Sequence, residues 1–173
     1  IDICKIENSP TVYHLGFQLG PRINAGGRVG KCTHGANLLL DKDPKKVFKL
    51  ASELEMYNTE RQLLEKNLLV SIINDAKKVT DPVIVLSGTN WHEGIIGIIA
   101  SRVKDKLNKP TILISLNGSV GKASARSIVG FDIGSVIISA VQDGILQKGG
   151  GHKMAGGFTV NKNDIENFKN FIN

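Results

Sequence analysis

The chain has 173 residues, 41% of them apolar, enough to bury the core of one large or two small domains. Its formal net charge of +6 points to an anionic partner, yet residues 1–79 carry 12 basic and 9 acidic side chains and residues 80–173 carry 10 and 7. Each half is therefore +3, which excludes a basic tail of the kind that grips nucleic acid indiscriminately.

No apolar run approaches the ~20 residues of a membrane helix, and no signal pattern opens the chain. Cys4 and Cys32 have no CxxC or paired-histidine spacing, so neither a disulfide framework nor zinc is implied and a reducing, cytoplasmic setting fits. The sequence begins at Ile1 rather than Met and is read as a piece of something longer.

In chain order, residues 1–40 form a mixed segment around Leu19 to Arg28, followed by a short helix from Gly35 to Leu40. Asp43 and Pro44 then make a helix start, an N-cap followed by proline at the first helical position. From there to about Lys78 there is no glycine or proline. Val47, Leu50, Leu54, Tyr57, Leu64, Leu68 and Ile72 recur at the spacing of one helix face, interrupted by Arg61. One helix of ~35 residues would be ~50 Å long and would serve as a connector between two bodies. The same stripe also suits two core helices joined near Asn58-Thr59.

Asp81-Pro82 ends this region. Val83 to Leu86 reads as a buried strand, Glu93 to Leu107 as a helix, Thr111 to Ile114 as a second buried strand and Ser119 to Ser127 as a third. Gly134 to Leu146 reads as a helix, Gly157 to Val160 as a strand and Asp164 to Ile172 as a closing amphipathic helix. The strand–helix–strand opening argues for an α/β fold over residues 80–173.

Four stretches could carry chemistry. Gly149 to Gly157 packs five glycines, His152 and Lys153 into nine residues. Read as a loop, it would let backbone N–H groups approach an anion; the plainer reading is a flexible surface turn. His92, at the strand-to-helix junction, either donates to a phosphate or simply caps the helix beside Trp91. Lys122, Ser124 and Arg126 alternate, so on a strand they share one face, either as a phosphate cradle or as a solvated surface. Arg22 to Arg28 brings two arginines and Asn24 beside a glycine pair. What is missing matters equally. Phosphodiester hydrolysis usually takes metals held by clustered Asp and His, whereas His14, His34, His92 and His152 are scattered. The chain reads as able to hold a phosphorylated ligand, with no metal site of its own.

Four segments together resemble the RecJ family of single-stranded-DNA-specific 5′-to-3′ exonucleases, of the DHH phosphoesterase superfamily. They are Pro21-Arg22-Ile23-Asn24-Ala25-x-Gly27-Arg28, then Trp91-His92-Glu93-Gly94 running on to Arg102, then Ser124-x-Arg126-Ser127-x-x-Gly130-Phe131-Asp132, and finally Gly149-Gly150-Gly151-His152-x-x-Ala155-Gly156-Gly157. The resemblance implies that residues 1–42 are the tail of a catalytic DHH domain and 43–79 an interdomain connector helix. Residues 80–173 would be a DHH-associated substrate-binding domain with a central mixed β-sheet flanked by helices.

It further implies that Mn2+ or Mg2+ is held by an upstream domain and not by this chain, and that the isolated chain is inactive. His152 would contact phosphate near the scissile bond. Gly149, Gly150, Gly151, Gly156 and Gly157 would approach the nucleotide, and Lys122, Ser124, Arg126 and Ser127 would grip the backbone or 5′ phosphate. Arg22, Asn24, Arg28 and His92 would complete the substrate contacts. The implied setting is a cytoplasmic, monomeric enzyme of DNA repair and recombination, with a single-strand-binding protein or a helicase as partner. The rival expectations are an oligoribonuclease or cyclic-dinucleotide phosphodiesterase of the same superfamily, and a non-catalytic RNA-binding module like that ending alanyl-tRNA synthetases.

Overall fold

A computed structural model describes residues 1–173, which divide into two compact units, Ile1–Leu64 and Glu65–Asn173. The first unit is helical. A π-helical stretch, His14–Leu19, leads into the short helices α1 (Gly20–Ile23), α2 (Gly26–Val29) and α3 (His34–Leu40). These pack where side chains are absent. A Cβ on Gly26 would come within 2.5 Å of the Lys31 carbonyl oxygen, and one on Gly30 would enter the Tyr57 ring. Ala25 and Leu54 are buried, whereas Val12 and Phe17 stand exposed.

Helix α4 (Pro44–Ala76) runs unbroken for 33 residues, so the two-helix alternative falls. Asp43 caps its start by accepting the Lys45 N–H at 3.0 Å. The polar interruption of its stripe is resolved within the helix itself, because the buried Asn58 accepts from Arg61 one turn later, at 3.0 and 3.3 Å. No helix of the chain is long and apolar enough to cross a membrane.

The second unit is built on five strands: β1 (Ile84–Thr89), β2 (Thr111–Asn117), β3 (Val120–Arg126), β4 (Lys148–His152) and β5 (Ala155–Asn161). Their order is β1-β2-β3-β5-β4, with β1 and β2 parallel and every other pair antiparallel, giving the expected mixed sheet. Helix α5 (Glu93–Leu107) lies on one face, over β2 and β3, and buries Ile95, Ile96, Ile99 and Val103. On the other face α6 (Ile133–Gln142) and α7 (Ile165–Ile172) close the main core. It joins Val85, Ile112, Ile114 and Phe158 to Ile137 and Phe168.

Two expectations need correction. Helix α6 stops at Gln142 rather than Leu146, because Gly144 takes a left-handed φ of 72° and turns the chain. The glycine-rich run is not a loop: Lys148–His152 and Ala155–Asn161 pair as a hairpin, turning at Lys153-Met154.

The glycines of that hairpin split between its faces. A Cβ on Gly149 would meet Phe158 and Ile137 at 2.7 and 2.9 Å, and one on Gly156 would meet Ile137 Cδ1 at 2.5 Å. Gly134, in the first turn of α6, would place a Cβ 2.8–2.9 Å from the backbone of His152. Helix α6 thus lies flush on the hairpin because three side chains are missing there: Gly134, Gly149 and Gly156. Gly134→Ala gains about 1 kcal/mol of helix propensity but must move backbone, an overpacking cost of about 1–3 kcal/mol. Urea denaturation of the full chain is expected to show Gly134→Ala destabilised, with Gly150→Ala, which points into open space, within about 0.5 kcal/mol of the parent.

Candidate functional site

Residues directly opposite one another on paired strands share a face, so the register arranges the far side of the hairpin in rows. Arg126, Ala155 and His152 form the first row, Ser124, Gly157 and Gly150 the second, and Lys122, Thr159 and Lys148 the third. This is the face on which α5 lies. A Cβ on Gly97 of α5 would come within 2.9 Å of Ser124 Oγ and 3.0 Å of Arg126 Nη2, so the helix covers β3. Beyond β3 the surface opens. A Cβ on Gly150 would meet nothing within 4 Å, and one on Gly157 only the Ala123 carbonyl oxygen, at 3.3 Å. The middle row is a floor of bare backbone between two basic ends.

At the first end, Arg126 is half-buried and oriented along its own strand. Its Nη1 donates to Ser124 Oγ at 3.0 Å and to the Ala125 carbonyl at 2.8 Å. A planar guanidinium fixed in this way keeps its fork geometry for a phosphate oxygen. His152 is exposed, and its Nδ1 accepts the Met154 N–H at 3.3 Å. The neutral ring then carries its proton on Nε2, which makes it a donor to an anion.

Around it the hairpin turn is tied down twice, by the Ser127 N–H donating to Met154 O at 2.9 Å and the Ile133 N–H to Lys153 O at 3.4 Å. Ser127 itself is 1% exposed, and its hydroxyl donates to Phe131 O at 2.7 Å. Its side chain is built into that turn.

At the third row, Lys122 Nζ is 2.8 Å from Glu93 Oε2 at the start of α5, so part of its charge is answered within the protein. His92 caps the same helix, its Nδ1 accepting the Gly94 N–H at 3.1 Å, and is exposed. Trp91 next to it is anchored: its ring lies on Gly88 and its carbonyl accepts from Ser115 Oγ at 2.5 Å. His92 therefore belongs with Lys122. His152 belongs with Arg126, two rows away.

Gly149, Gly151 and Gly156 face α6 and leave only their backbone to the rim. Lys148 and Thr159 went unread in the sequence, though a signal existed. Lys148, Gly150 and His152 alternate in the same way as Lys122, Ser124 and Arg126 once the segment is treated as a strand.

In the first unit, Arg22 is spent on its own fold. Nε pairs with Glu55 Oε2, Nη2 reaches Oε1 at 3.3 Å, and Nη1 donates to Gln18 O at 2.9 Å. Asn24 and Arg28 are exposed on that unit. No three His, Cys, Asp or Glu side chains gather anywhere to hold a metal ion. His34 and Glu53 come to 3.3 Å without a third ligand. The residues present do not fit a divalent-metal centre.

A family profile described as the DHHA1 domain matches residues 80–173, the stretch that holds the sheet and its three helices. The chain belongs to the DHHA1 domain family. Among curated proteins it is similar to the single-stranded-DNA-specific exonuclease RecJ of Bacillus subtilis, 33% identical over 92% of this chain and 20% of that protein. RecJ of Haemophilus influenzae is 32% identical over 94% of this chain and 30% of the relative. The crystal structure of Thermus thermophilus RecJ in complex with Mn2+ superposes with a TM-score of 0.87 at 30% identity, over 97% of this chain and 25% of that one. The chain thus spans 20–30% of the length of these relatives. Within the DHHA1 domain, the rows of β3, β5 and β4 hold most of the candidate residues.

Since Arg22 makes a half-buried bidentate pair, Arg22→Ala is expected to destabilise the chain by about 1–3 kcal/mol in chemical denaturation. Asn24→Ala, an exposed substitution, should stay within about 0.5 kcal/mol.

Proposed function

We propose that this chain is the strand-holding part of a RecJ-type nuclease, binding the sugar–phosphate backbone of single-stranded DNA on the open sheet face. The observation that carries the reading is the Cβ-free floor of Gly150 and Gly157, flanked by Ser124 and bounded at one end by Arg126 and His152. A phosphate can approach bare backbone closely there, and the fixed guanidinium can take two of its oxygens. None of the three rows carries Phe, Tyr or Trp. Base stacking is therefore a small part of the grip, and affinity rests on phosphate contacts that tolerate any sequence and weaken with salt.

In the complete nuclease, water adds to phosphorus, the P–O ester bond breaks and the proton passes to the leaving oxygen. His152 would donate to a phosphate oxygen beside that bond, and Arg126 with Ser124 would hold the backbone or terminal 5′ phosphate. The similarity to far longer relatives, one solved with Mn2+, supports a metal centre held by residues outside these 173. The isolated chain is accordingly expected to bind without cleaving.

Fluorescence anisotropy with a 5′-phosphorylated single-stranded oligodeoxynucleotide tests this. Arg126→Ala is expected to weaken binding roughly ten- to hundredfold, the worth of a charge-assisted contact. It should also reduce the slope of log affinity against log salt by about 0.7, one phosphate fewer on a single strand. Gly150→Val should lower affinity while leaving the melting temperature nearly unchanged, because its side chain would stand in the open floor and not in the core. Unchanged affinity and slope in both variants would reject the site.

A further inference from the structure

We propose that Lys148, with Thr159 beside it, forms a second phosphate contact at the far end of the glycine floor, so that the bound strand runs along β5 and β4, beside the edge of α5, rather than across them. The inference rests on the binding face just proposed. The Arg126–His152 row and the Lys122–Lys148 row are four residues apart on each strand, ~13 Å at 3.3 Å per residue. The row between them consists of Ser124, Gly157 and Gly150, so no side chain larger than serine stands in the path. None of the nine residues in the three rows is acidic.

The two lysines of the third row differ. Lys122 is paired with Glu93, whereas Lys148 is exposed and has no carboxylate partner, leaving it the cation of that row available to an incoming anion. It is also held in place, because the Gln147 N–H next to it donates to the Thr159 carbonyl at 3.0 Å. A stacked strand advances ~3.4 Å per nucleotide, so ~13 Å corresponds to about four nucleotides, and fewer if the strand is stretched. A ligand must therefore exceed a minimum length before Lys148 contributes. Across the strands, the same face offers no second cation at that distance from Arg126.

The experiment compares two ligands on the full chain: a 5′-phosphorylated mononucleotide followed by NMR titration, and a 5′-phosphorylated six-nucleotide DNA strand followed by anisotropy. Lys148→Gln is expected to weaken the six-nucleotide strand about three- to tenfold and reduce its salt slope by about 0.7. It should leave the mononucleotide unchanged, and Lys148→Arg should restore the longer ligand. Arg126→Ala is expected to weaken both ligands. If Lys148→Gln leaves the six-nucleotide strand untouched while Arg126→Ala weakens it, the second contact is overturned and the binding face stands. Equal weakening of both ligands by Lys148→Gln would also overturn it, since Lys148 would then share the first site. If Arg126→Ala affects neither ligand, the binding face itself fails.

Discussion

Helix α6 lies closer to the β4–β5 hairpin than a methyl group allows, and the position of the candidate site follows from that closeness. Gly134 meets the backbone of His152, Gly149 meets the branch methyl of Ile137 and Gly156 meets its terminal carbon. In exchange for the backbone freedom that glycine surrenders on ordering, the hairpin is pressed onto the main core of Ile137, Phe158 and Phe168. An edge strand of bare glycines would otherwise have little to hold it, since strand stability comes largely from side-chain packing. Here the helix supplies from one side what the strand lacks. The opposite side is left smooth.

The second constraint acts on the other face. Gly97 lets α5 settle onto β3, so Ser124 and Arg126 sit under its edge instead of waving in solvent. Because α5 covers β2 and β3 and stops there, the sheet changes character midway across its width. Helix lies over β2 and β3, and β5 and β4 are open. Arg126 stands at that boundary, half-buried and tied to Ser124. Its charge is less screened there than on a fully wet surface.

Much of this was legible in the sequence where local chemistry decides. Asp43-Pro44 and the long absence of glycine and proline specify α4, and the alternation of Lys122, Ser124 and Arg126 specifies a shared face. Glycine spacing was less informative, because the same residue serves a loop that needs freedom and a strand that needs closeness. Only the identity of what packs above, Ile137 and Gly134, distinguishes them. Partners distant in sequence were equally hidden. Glu55, which takes Arg22, lies 33 positions away. At His92 the sequence left phosphate donor and cap open, and the structure assigns Nδ1 to the cap.

The fit between Ile137 and Gly156 also bears on how such a domain can drift over evolutionary time. The terminal carbon of Ile137 occupies the space that a β-carbon at position 156 would need. A methyl group at 156 therefore requires the end of the Ile137 side chain to turn aside or be shortened, and shortening residue 137 alone leaves a void in the core. A shorter residue 137 makes room for the methyl, and the methyl fills part of the void. The two positions, nineteen apart in sequence and in different elements, are expected to favour correlated exchanges, a coupling that arises from shape.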